Sequence, residues 1–285
     1  MKPTHLLIPV DFSEASGRAL EYGLFLADAF AAEVTLVHVV VLPAEESAGA
    51  EAEEKLASLL PGSFSGKVRL LAPVVASSVG EELLGSVRET SADLVVLGTR
   101  GLGPLKRFLL GSTTEHLLRV LPVPVMTVSR PDGEEHPPSR VTRILCPTDF
   151  SEPAGAALPA ALDFARHFGA RVEVVHVVEH PAGPMVAPPY GDRVIAGEPQ
   201  EWIGQAEESL RQIVSALEAG EIAIDSTVLL GRPWQALLNR AAETEADLIV
   251  MGLHGRSFLE RTLLGATAER VIRQAPVPVL GIPAV

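Results

Sequence analysis

The sequence predicts an α/β protein made of two tandem, open, doubly wound domains, each with a five-stranded parallel sheet in the strand order 3-2-1-4-5. Three observations predict this fold class. Apolar runs alternate with helix patterns along the chain, the motifs of the first half return in the second half, and a glycine-rich stretch follows the fourth apolar run of each half. Apolar strands in regular alternation with helices favour a parallel sheet that helices cover on both faces.

An internal repeat sets the domain organisation. The segment LIPVDFSE at 7–14 returns as LCPTDFSE at 145–152, and VHVV at 37–40 returns at 175–178, both at an offset of 138 residues. The glycine-rich stretch returns at an offset of 154, so the second copy carries 16 extra residues between its second and fourth strands. We therefore expect domains at 1–130 and 141–285, joined by a polar, proline-rich linker at 131–140.

The elements of the first copy follow in order from these patterns. Strands are expected at the apolar runs 5–10, 34–40, 68–74, 94–97 and 123–128. Helices are expected between them at 13–31, 47–60, 79–90 and 112–121. Ser13 is a favourable capping residue for the first helix, and Gly111 with Ser112 stands where the last helix begins.

The second copy repeats this alternation. Strands are expected at 143–147, 171–178, 222–229, 248–251 and 277–282, and helices at 151–168, 201–218, 234–244 and 267–274. The strand order follows from the placement of the motifs. Asp11 after the first strand and Gly98 after the fourth meet if those strands are neighbours, as they are in the order 3-2-1-4-5.

Composition restricts the class of protein. With 47% hydrophobic and 21% charged residues the chain has a globular composition. The formal charge of -13 is shared between the halves without a basic face, so nucleic acid is not an expected partner. No apolar run is long enough to cross a bilayer or typical of a signal peptide, which favours a cytoplasmic location without membrane contact. Cys146, the single cysteine, lies in an apolar run and is interpreted as a core residue.

The glycine-rich stretch is typical of an anion site. Its spacing is G-x2-G-x9-G, and it leads from an apolar run into a helix. Glycines let anion oxygens approach backbone N–H groups, and the first turn of a helix offers unpaired donors. Three cations in the first copy, and the glycines of both copies, belong to this pattern: Arg100, Lys106 and Arg107; Gly98, Gly101 and Gly111; Gly252, Gly255 and Gly265.

Two further pairs of residues leave alternatives open. Asp11 and Asp149 can fix the turn into the first helix of each half, or accept hydrogen bonds from sugar hydroxyls. Val39 and Val177, at the ends of the second strands, can pack in the core or against a nucleobase. The residues alone do not decide between these roles.

Both halves resemble universal stress protein domains of the UspA type. The resemblance rests on the P-x-D-F-S-E opening, the H-V pair of the second strand, the G-x2-G-x9-G-(S/T) stretch and the closing P-V-P-V strands at 122–125 and 276–279. It implies a Rossmann-like fold of the adenine nucleotide alpha hydrolase type. In one branch of the family the site binds ATP or a related adenine nucleotide, ADP or AMP, with Mg²⁺ as a further candidate ligand.

The resemblance also implies which residues bind the nucleotide. The aspartates would contact ribose, the valines adenine, and the glycines with the residues after them the phosphates. The full set is Pro9, Val10, Asp11, Val39, Leu97, Gly98, Arg100, Gly101, Gly111, Ser112, Thr113, Pro147, Thr148, Asp149, Val177, Met251, Gly252, Gly255, Gly265, Ala266 and Thr267. Ala266 departs from the family's Ser or Thr, so we expect the first domain to be the better triphosphate site. The closing strands are expected to pair, within one chain or in a homodimer.

Rival functions are weaker. The first glycine stretch runs into Pro104 and lacks the Walker pattern, and the H-x-x-E-H match at 176–180 continues a strand where a metalloprotease needs a helix. We therefore expect a non-catalytic, nucleotide-binding stress-response or signalling protein, in which any ATP hydrolysis is slow. The alternative is a nucleotide-free, dimerising scaffold that acts through protein partners. Trp202 and Trp234 are expected to pack in the core, and the Pro- and Gly-rich loop at 180–200 fits either an ordered lid or an exposed segment.

Overall fold

A computed structural model describes residues 1–75, 78–99, 110–129, 140–179, 199–217, 220–254 and 264–284. Most of the expected linker and of the loop after 179 lie outside these residues. The first half contains, in order, β1 (His5–Pro9), α1 (Glu14–Phe30), β2 (Glu33–Val37), β3 (Val40–Val41), α2 (Ala48–Ser58), β4 (Val68–Leu71), β5 (Val74–Val75), α3 (Val79–Thr90), β6 (Leu94–Gly98), α4 (Ser112–Val120) and β7 (Val125–Val128).

The second half repeats this succession. It contains β8 (Arg143–Pro147), α5 (Glu152–Gly155), α6 (Ala157–Phe168), β9 (Arg171–Val178), α7 (Pro199–Ala216), β10 (Ile224–Leu230), α8 (Pro233–Glu243), β11 (Leu248–Gly252), α9 (Ala266–Gln274) and β12 (Val279–Ile282).

The strand order 3-2-1-4-5 is found in each half. The first half reads β4-β2-β1-β6-β7 and the second β10-β9-β8-β11-β12, with every pairing inside a half parallel. This is the predicted α/β fold with its doubly wound sheet. The first strand and the fourth are therefore neighbours, and their carboxyl ends lie side by side.

The two half-sheets join into one sheet of ten strands. β7 and β12 pair antiparallel, with Thr127 opposite Val279 and Val125 opposite Gly281. Two side chains add bonds across this junction: Thr127 Oγ1 donates to the Val279 carbonyl at 3.2 Å, and Ser129 Oγ donates to the Ala275 carbonyl at 2.6 Å.

Three elements differ from the expected ones. The expected second strand, 34–40, stops at Val37, and the expected third strand, 68–74, stops at Leu71. Beyond these ends, β3 and β5 form a separate two-stranded sheet. Pro73 lies between β4 and β5 and has no N–H to donate. The expected helix 151–168 is divided at Ala156 into α5 and α6. In a continuous helix the carbonyl of Gly155 would accept from residue 159, but Pro159 has no N–H to donate and its ring would clash with that carbonyl.

Helices cover both faces of the sheet. On one face α1 and α6 pack against the sheet and against each other, and Phe30 lies 5.2 Å from Phe164 and 5.5 Å from Phe168 between ring centroids. The other face holds α3, α4, α8 and α9. Cys146 is fully buried in the first of these cores, where burial raises the pKa of its thiol to about 12, in agreement with its expected core role.

An ion pair connects a helix to the sheet in the second half. The Arg240 guanidinium of α8 donates to Glu173 of β9 from Nη2 at 2.7 Å and from Nε at 2.9 Å, and Thr227 Oγ1 of β10 donates to the same carboxylate at 2.6 Å. The side chains of Arg240 and Glu173 are 29% and 13% exposed. The hydrogen bonds that Arg240 donates to Glu173 raise the pKa of Arg240, so its guanidinium is charged.

Candidate functional site

A cleft of about 290 Å³ opens at the carboxyl ends of β1, β2 and β6, next to the start of α4. Its walls include every residue of the predicted nucleotide set that the structure describes in this half: Pro9, Val10, Asp11, Val39, Leu97, Gly98, Gly111, Ser112 and Thr113. Arg100 and Gly101 lie outside the described residues. The strand order assembles this set, since it brings residues as far apart in sequence as Pro9 and Thr113 to one edge of the sheet.

A second cleft, of about 790 Å³, lies at the matching edge of the second half. Its walls include Pro147, Thr148, Asp149, Val177, Met251, Gly252, Gly265, Ala266 and Thr267, while Gly255 lies outside the described residues. The two clefts are thus built from the same positions of the repeat. A role of these residues in binding stays a prediction.

The aspartate of each cleft fixes the turn into the following helix. Asp11 Oδ1 accepts from the Ser13 N–H at 3.0 Å, and Ser13 Oγ in turn caps α1 by accepting from the Ser16 N–H at 3.2 Å. Asp149 accepts in the same way from the Ser151 N–H at 3.0 Å. The turn-fixing role considered for both aspartates is therefore present.

Asp11 nevertheless keeps capacity to bind more. It is exposed, and a carboxylate can accept about four hydrogen bonds. Partial burial raises the pKa of Asp11, but hydrogen bonds from Ser13 and Ser16 outweigh this effect, and the net result is a lowered pKa. The group is ionised at neutral pH and can accept from hydroxyl donors in the cleft.

A histidine and a phenylalanine brace the aspartate turn in both halves. His38 Nδ1 lies 2.7 Å from the Val10 carbonyl, and its ring lies 4.5 Å from that of Phe12. His176 and Phe150 repeat the arrangement, with an Nδ1 to Thr148 carbonyl distance of 2.8 Å and ring centroids 4.2 Å apart. A carbonyl only accepts, so Nδ1 carries the proton in each histidine.

The two phenylalanines also mark a strained backbone position. Phe12 and Phe150 have φ values of 60° and 63°, in the left-handed region that side-chain-bearing residues seldom adopt. Strain of this kind persists only where surrounding contacts impose it, and it is concentrated at functional sites. The sequence prediction did not include these four aromatic residues. The sequence did carry a signal for them, because the phenylalanine of D-F-S-E and the histidine of V-H-V-V are present in both copies of the repeat.

Gly98 has a packing reason to be glycine. A Cβ at this position would lie 2.6 Å from the Ala15 carbonyl oxygen and 3.0 Å from the Ser16 nitrogen, both in the first turn of α1. The sequence prediction assigned this glycine to the approach of an anion. In the structure the backbone of α1 already occupies the space that a side chain would need.

The starts of α4 and α9 offer unpaired backbone donors. Their N-cap residues, Gly111 and Gly265, have no capping side chain. Within the described residues no acceptor bonds the N–H groups of Ser112 and Thr113. The Gly111 N–H donates to the Thr99 carbonyl at 3.1 Å, which brings together the two ends of the glycine-rich stretch. A helix start of this kind can hold an anion.

The two clefts differ in their walls. The first position of the last helix is Ser112 in the first half and Ala266 in the second, and both residues are exposed. Trp202 of α7 lines the second cleft, although the sequence favours a place in the core for it. Trp234 does pack against the core, in agreement with the expectation. The described residues contain no group of three or more His, Cys, Asp or Glu that could hold a metal ion.

The chain folds into two Rossmann-like units in tandem. In the cleft of each unit, an aspartate turn lies at the same edge of the sheet as a helix whose N-cap residue is glycine. These features define the class of protein. The model of the universal stress protein family matches residues 3–129 and again 140–283. The chain therefore belongs to the universal stress protein family, in its tandem form.

Relatives and solved structures agree with this assignment. A universal stress protein of Mycolicibacterium smegmatis is 29% identical over 294 residues, which covers 96% of this chain and 95% of the relative. One from Methanocaldococcus jannaschii is 37% identical over 139 residues, covering 48% of this chain and 79% of the relative. The crystal structure of a universal stress protein from Archaeoglobus fulgidus has a TM-score of 0.71 at 24% identity and covers 97% of both chains, which supports the fold.

None of the helices in the described part of the chain combines the length and the apolar character that crossing a bilayer requires.

Proposed function

We propose that this chain is a non-catalytic stress-response protein that binds adenine nucleotide in its two clefts and changes its partner contacts when they are occupied. One observation carries the proposal: the ionised, exposed Asp11 shares a cleft with the uncapped start of α4. A carboxylate that accepts from sugar hydroxyls beside backbone donors for phosphate is the arrangement of nucleotide sites in open α/β sheets.

Each part of the ligand has a counterpart in the first cleft. Asp11 accepts from the ribose hydroxyls, Val39 packs on adenine, and the first turn of α4 with Ser112 donates to phosphate oxygens. The ligand is ATP, ADP or AMP. Any Mg²⁺ that accompanies ATP takes its ligands from phosphates and water, because a metal ion of this kind keeps several waters and needs few protein ligands.

The first cleft is the better triphosphate site in this proposal. Ser112 supplies a hydroxyl donor that Ala266 lacks, and a hydrogen bond to a charged group contributes about 1.5 to 3 kcal/mol. The two domains pair within one chain through β7 and β12, a proposal supported by their register and by the aromatic contacts of α1 with α6. We place the protein in the cytoplasm, without a membrane or nucleic-acid partner.

The alternative is a nucleotide-free scaffold. Two observations favour it: Gly98 is explained by helix packing without a ligand, and the small β3–β5 sheet exposes apolar side chains, with Val41 48% and Val74 44% exposed. Exposed apolar side chains that lie together mark contact surfaces for other proteins.

Isothermal titration calorimetry decides between the two functions. We expect saturable heat when ATP, ADP or AMP with Mg²⁺ is added to the full-length protein. The variant Asp11→Ala should lower the heat from the first cleft. The matched control is Glu21→Gln, which changes an exposed carboxylate on α1 that does not line the cleft. Absence of heat with all three nucleotides would leave the scaffold as the function.

A further inference from the structure

The helix that precedes the third strand of each half-sheet is α2 in the first half and α7 in the second. α7 lines the second cleft, whereas α2 does not line the first. α2 and α7 occupy matching places, because the buried pair Ala52 and Leu56 corresponds to Ala206 and Leu210 at the offset of the glycine-rich stretches. The same offset aligns all the remaining positions of the two helices. It shows where the duplicated halves have acquired different side chains.

Three aligned positions change in chemical character. Trp202, Gln205 and Ser209 stand where the first half has Ala48, Glu51 and Lys55. All three residues of the second half line their cleft, whereas none of their counterparts lines the first cleft.

In the first half the corresponding lysine is engaged with the aspartate turn. Lys55 Nζ lies 4.0 Å from the centre of the Phe12 ring. In the second half the aligned residue is Ser209, which is uncharged, and the cleft extends to α7. The second cleft has a volume of about 790 Å³ and the first a volume of about 290 Å³.

The described walls of the second cleft contain more carboxylates than those of the first. Asp149 and Glu179 line the second cleft and Asp11 alone the first, and the described walls of neither cleft include a Lys or Arg. The first residue of α9 is Ala266, which has no hydroxyl to donate. A ligand with little negative charge and a large planar surface suits these walls better than ATP does.

We propose that the second cleft selects an adenine nucleoside or nucleoside monophosphate, whose base stacks on the indole of Trp202 and whose polar edge contacts Gln205 and Ser209. This inference rests on the proposed function and deepens it, since it gives the two clefts different ligands. Stacking of a base on an aromatic side chain substitutes for the phosphate contacts that the second cleft lacks.

The chain offers a direct optical test, because it contains two tryptophans. The variant Trp234→Phe keeps Trp202 as its single tryptophan, and Trp202→Phe keeps Trp234. Trp234 does not line the cleft, and its Nε1 has no hydrogen-bond partner among the described residues, so phenylalanine removes no bond there. Each variant is titrated with adenosine, AMP and ATP while indole emission is recorded with excitation at the red edge of its absorption, outside the adenine band.

We expect adenosine and AMP to quench Trp202 emission with saturation, and at lower concentration than ATP. Trp234 emission should stay unchanged. Calorimetry on the full-length Trp202→Ala variant should show a loss of adenosine affinity of about 5-fold to 150-fold, the range that base stacking supplies. Trp202→Phe should recover part of that loss, because its ring still stacks.

Two results would overturn the inference while leaving the proposed function intact. The first is nucleotide heat by calorimetry with unchanged Trp202 emission. The second is quenching by ATP at lower concentration than by adenosine. The absence of both heat and quenching with every ligand would instead refute nucleotide binding altogether.

Discussion

Substitution of Gly98 by alanine separates the two explanations of the glycine-rich stretch. The added Cβ would lie 2.6 Å from the Ala15 carbonyl oxygen and 2.7 Å from its carbon, whereas ordinary contacts begin at 3.4 Å. Both contacting atoms belong to the backbone of α1, so no side-chain rotation can relieve them. The helix must move away from β6 by about 0.8 Å, which loosens the packing of α1 on the sheet.

Overpacking of this kind costs about 1 to 3 kcal/mol. For a chain of this size each kcal/mol lowers the melting temperature by about 2 to 4 °C, so we expect Gly98→Ala to melt roughly 2 to 12 °C below the wild type. The matched control is Gly17→Ala. Gly17 lies in α1, the helix that Gly98 contacts, but a Cβ at Gly17 would meet nothing within 4 Å. Alanine is the better helix former by about 0.5 to 1 kcal/mol, so this control should be slightly more stable.

Thermal unfolding followed by circular dichroism measures both variants, and calorimetry then measures ATP binding below the transition. If Gly98→Ala is as stable as the wild type, the packing explanation is wrong. If that stable variant has also lost ATP binding, the glycine is required by the ligand, as the sequence pattern alone suggested.

Three further predictions follow from the site and the fold. Ser112→Ala should weaken ATP binding in the first cleft about tenfold or more, and Ala266→Ser should strengthen ATP binding in the second, as measured by calorimetry. An unchanged ATP affinity of the first cleft in Ser112→Ala would contradict the role of the hydroxyl. The pKa of Asp11 is lowered from 3.8, so the ionised carboxylate stabilises the fold above that pH, and this stabilisation is lost as the pH falls through the folded pKa. The difference in unfolding free energy between wild type and Asp11→Asn should therefore shrink on acidification, as measured by urea unfolding at several pH values. Arg240→Met should cost about 2 kcal/mol or more, because it removes the cation that pairs with the largely buried carboxylate of Glu173 and leaves that carboxylate with the Thr227 hydroxyl as its donor. Arg69→Met, which breaks an exposed pair, should cost about 1 kcal/mol or less; equal costs in urea unfolding would contradict this reasoning.

The fold was largely predictable because its signals are local or repeated. Alternating apolar runs and helix patterns predicted the parallel sheets, and the position of Asp11 relative to Gly98 predicted which strands are neighbours. The division of the expected helix at 151–168 shows the limit of this reasoning. Pro159 was visible in the sequence, but a proline near a helix start is tolerated at the first turn, and only the three-dimensional chain path shows that α6 begins just before it.

The site was predictable to the extent that the repeat marks it. Motif residues kept in both copies meet in each cleft because strand order brings them to one edge. Trp202 could not be predicted in the same way, since it lies in α7, where the copies differ and 16 extra residues intervene. A tryptophan on an amphipathic helix is expected to face the core, and periodicity cannot distinguish a core wall from a cleft wall.

Gly98 shows why a repeated motif does not by itself prove a ligand. Duplication preserves whatever both halves need, and both halves need to fold as well as to bind. In the first half the helix that Asp11 and Ser13 start is the same helix whose backbone contacts Gly98. The aspartate turn and the glycine are therefore coupled through α1, and a constraint on folding keeps them in register even without nucleotide. Ser112 is different, because its exposed hydroxyl has no folding role in the described contacts, so its side chain tests binding more directly than any glycine of the motif.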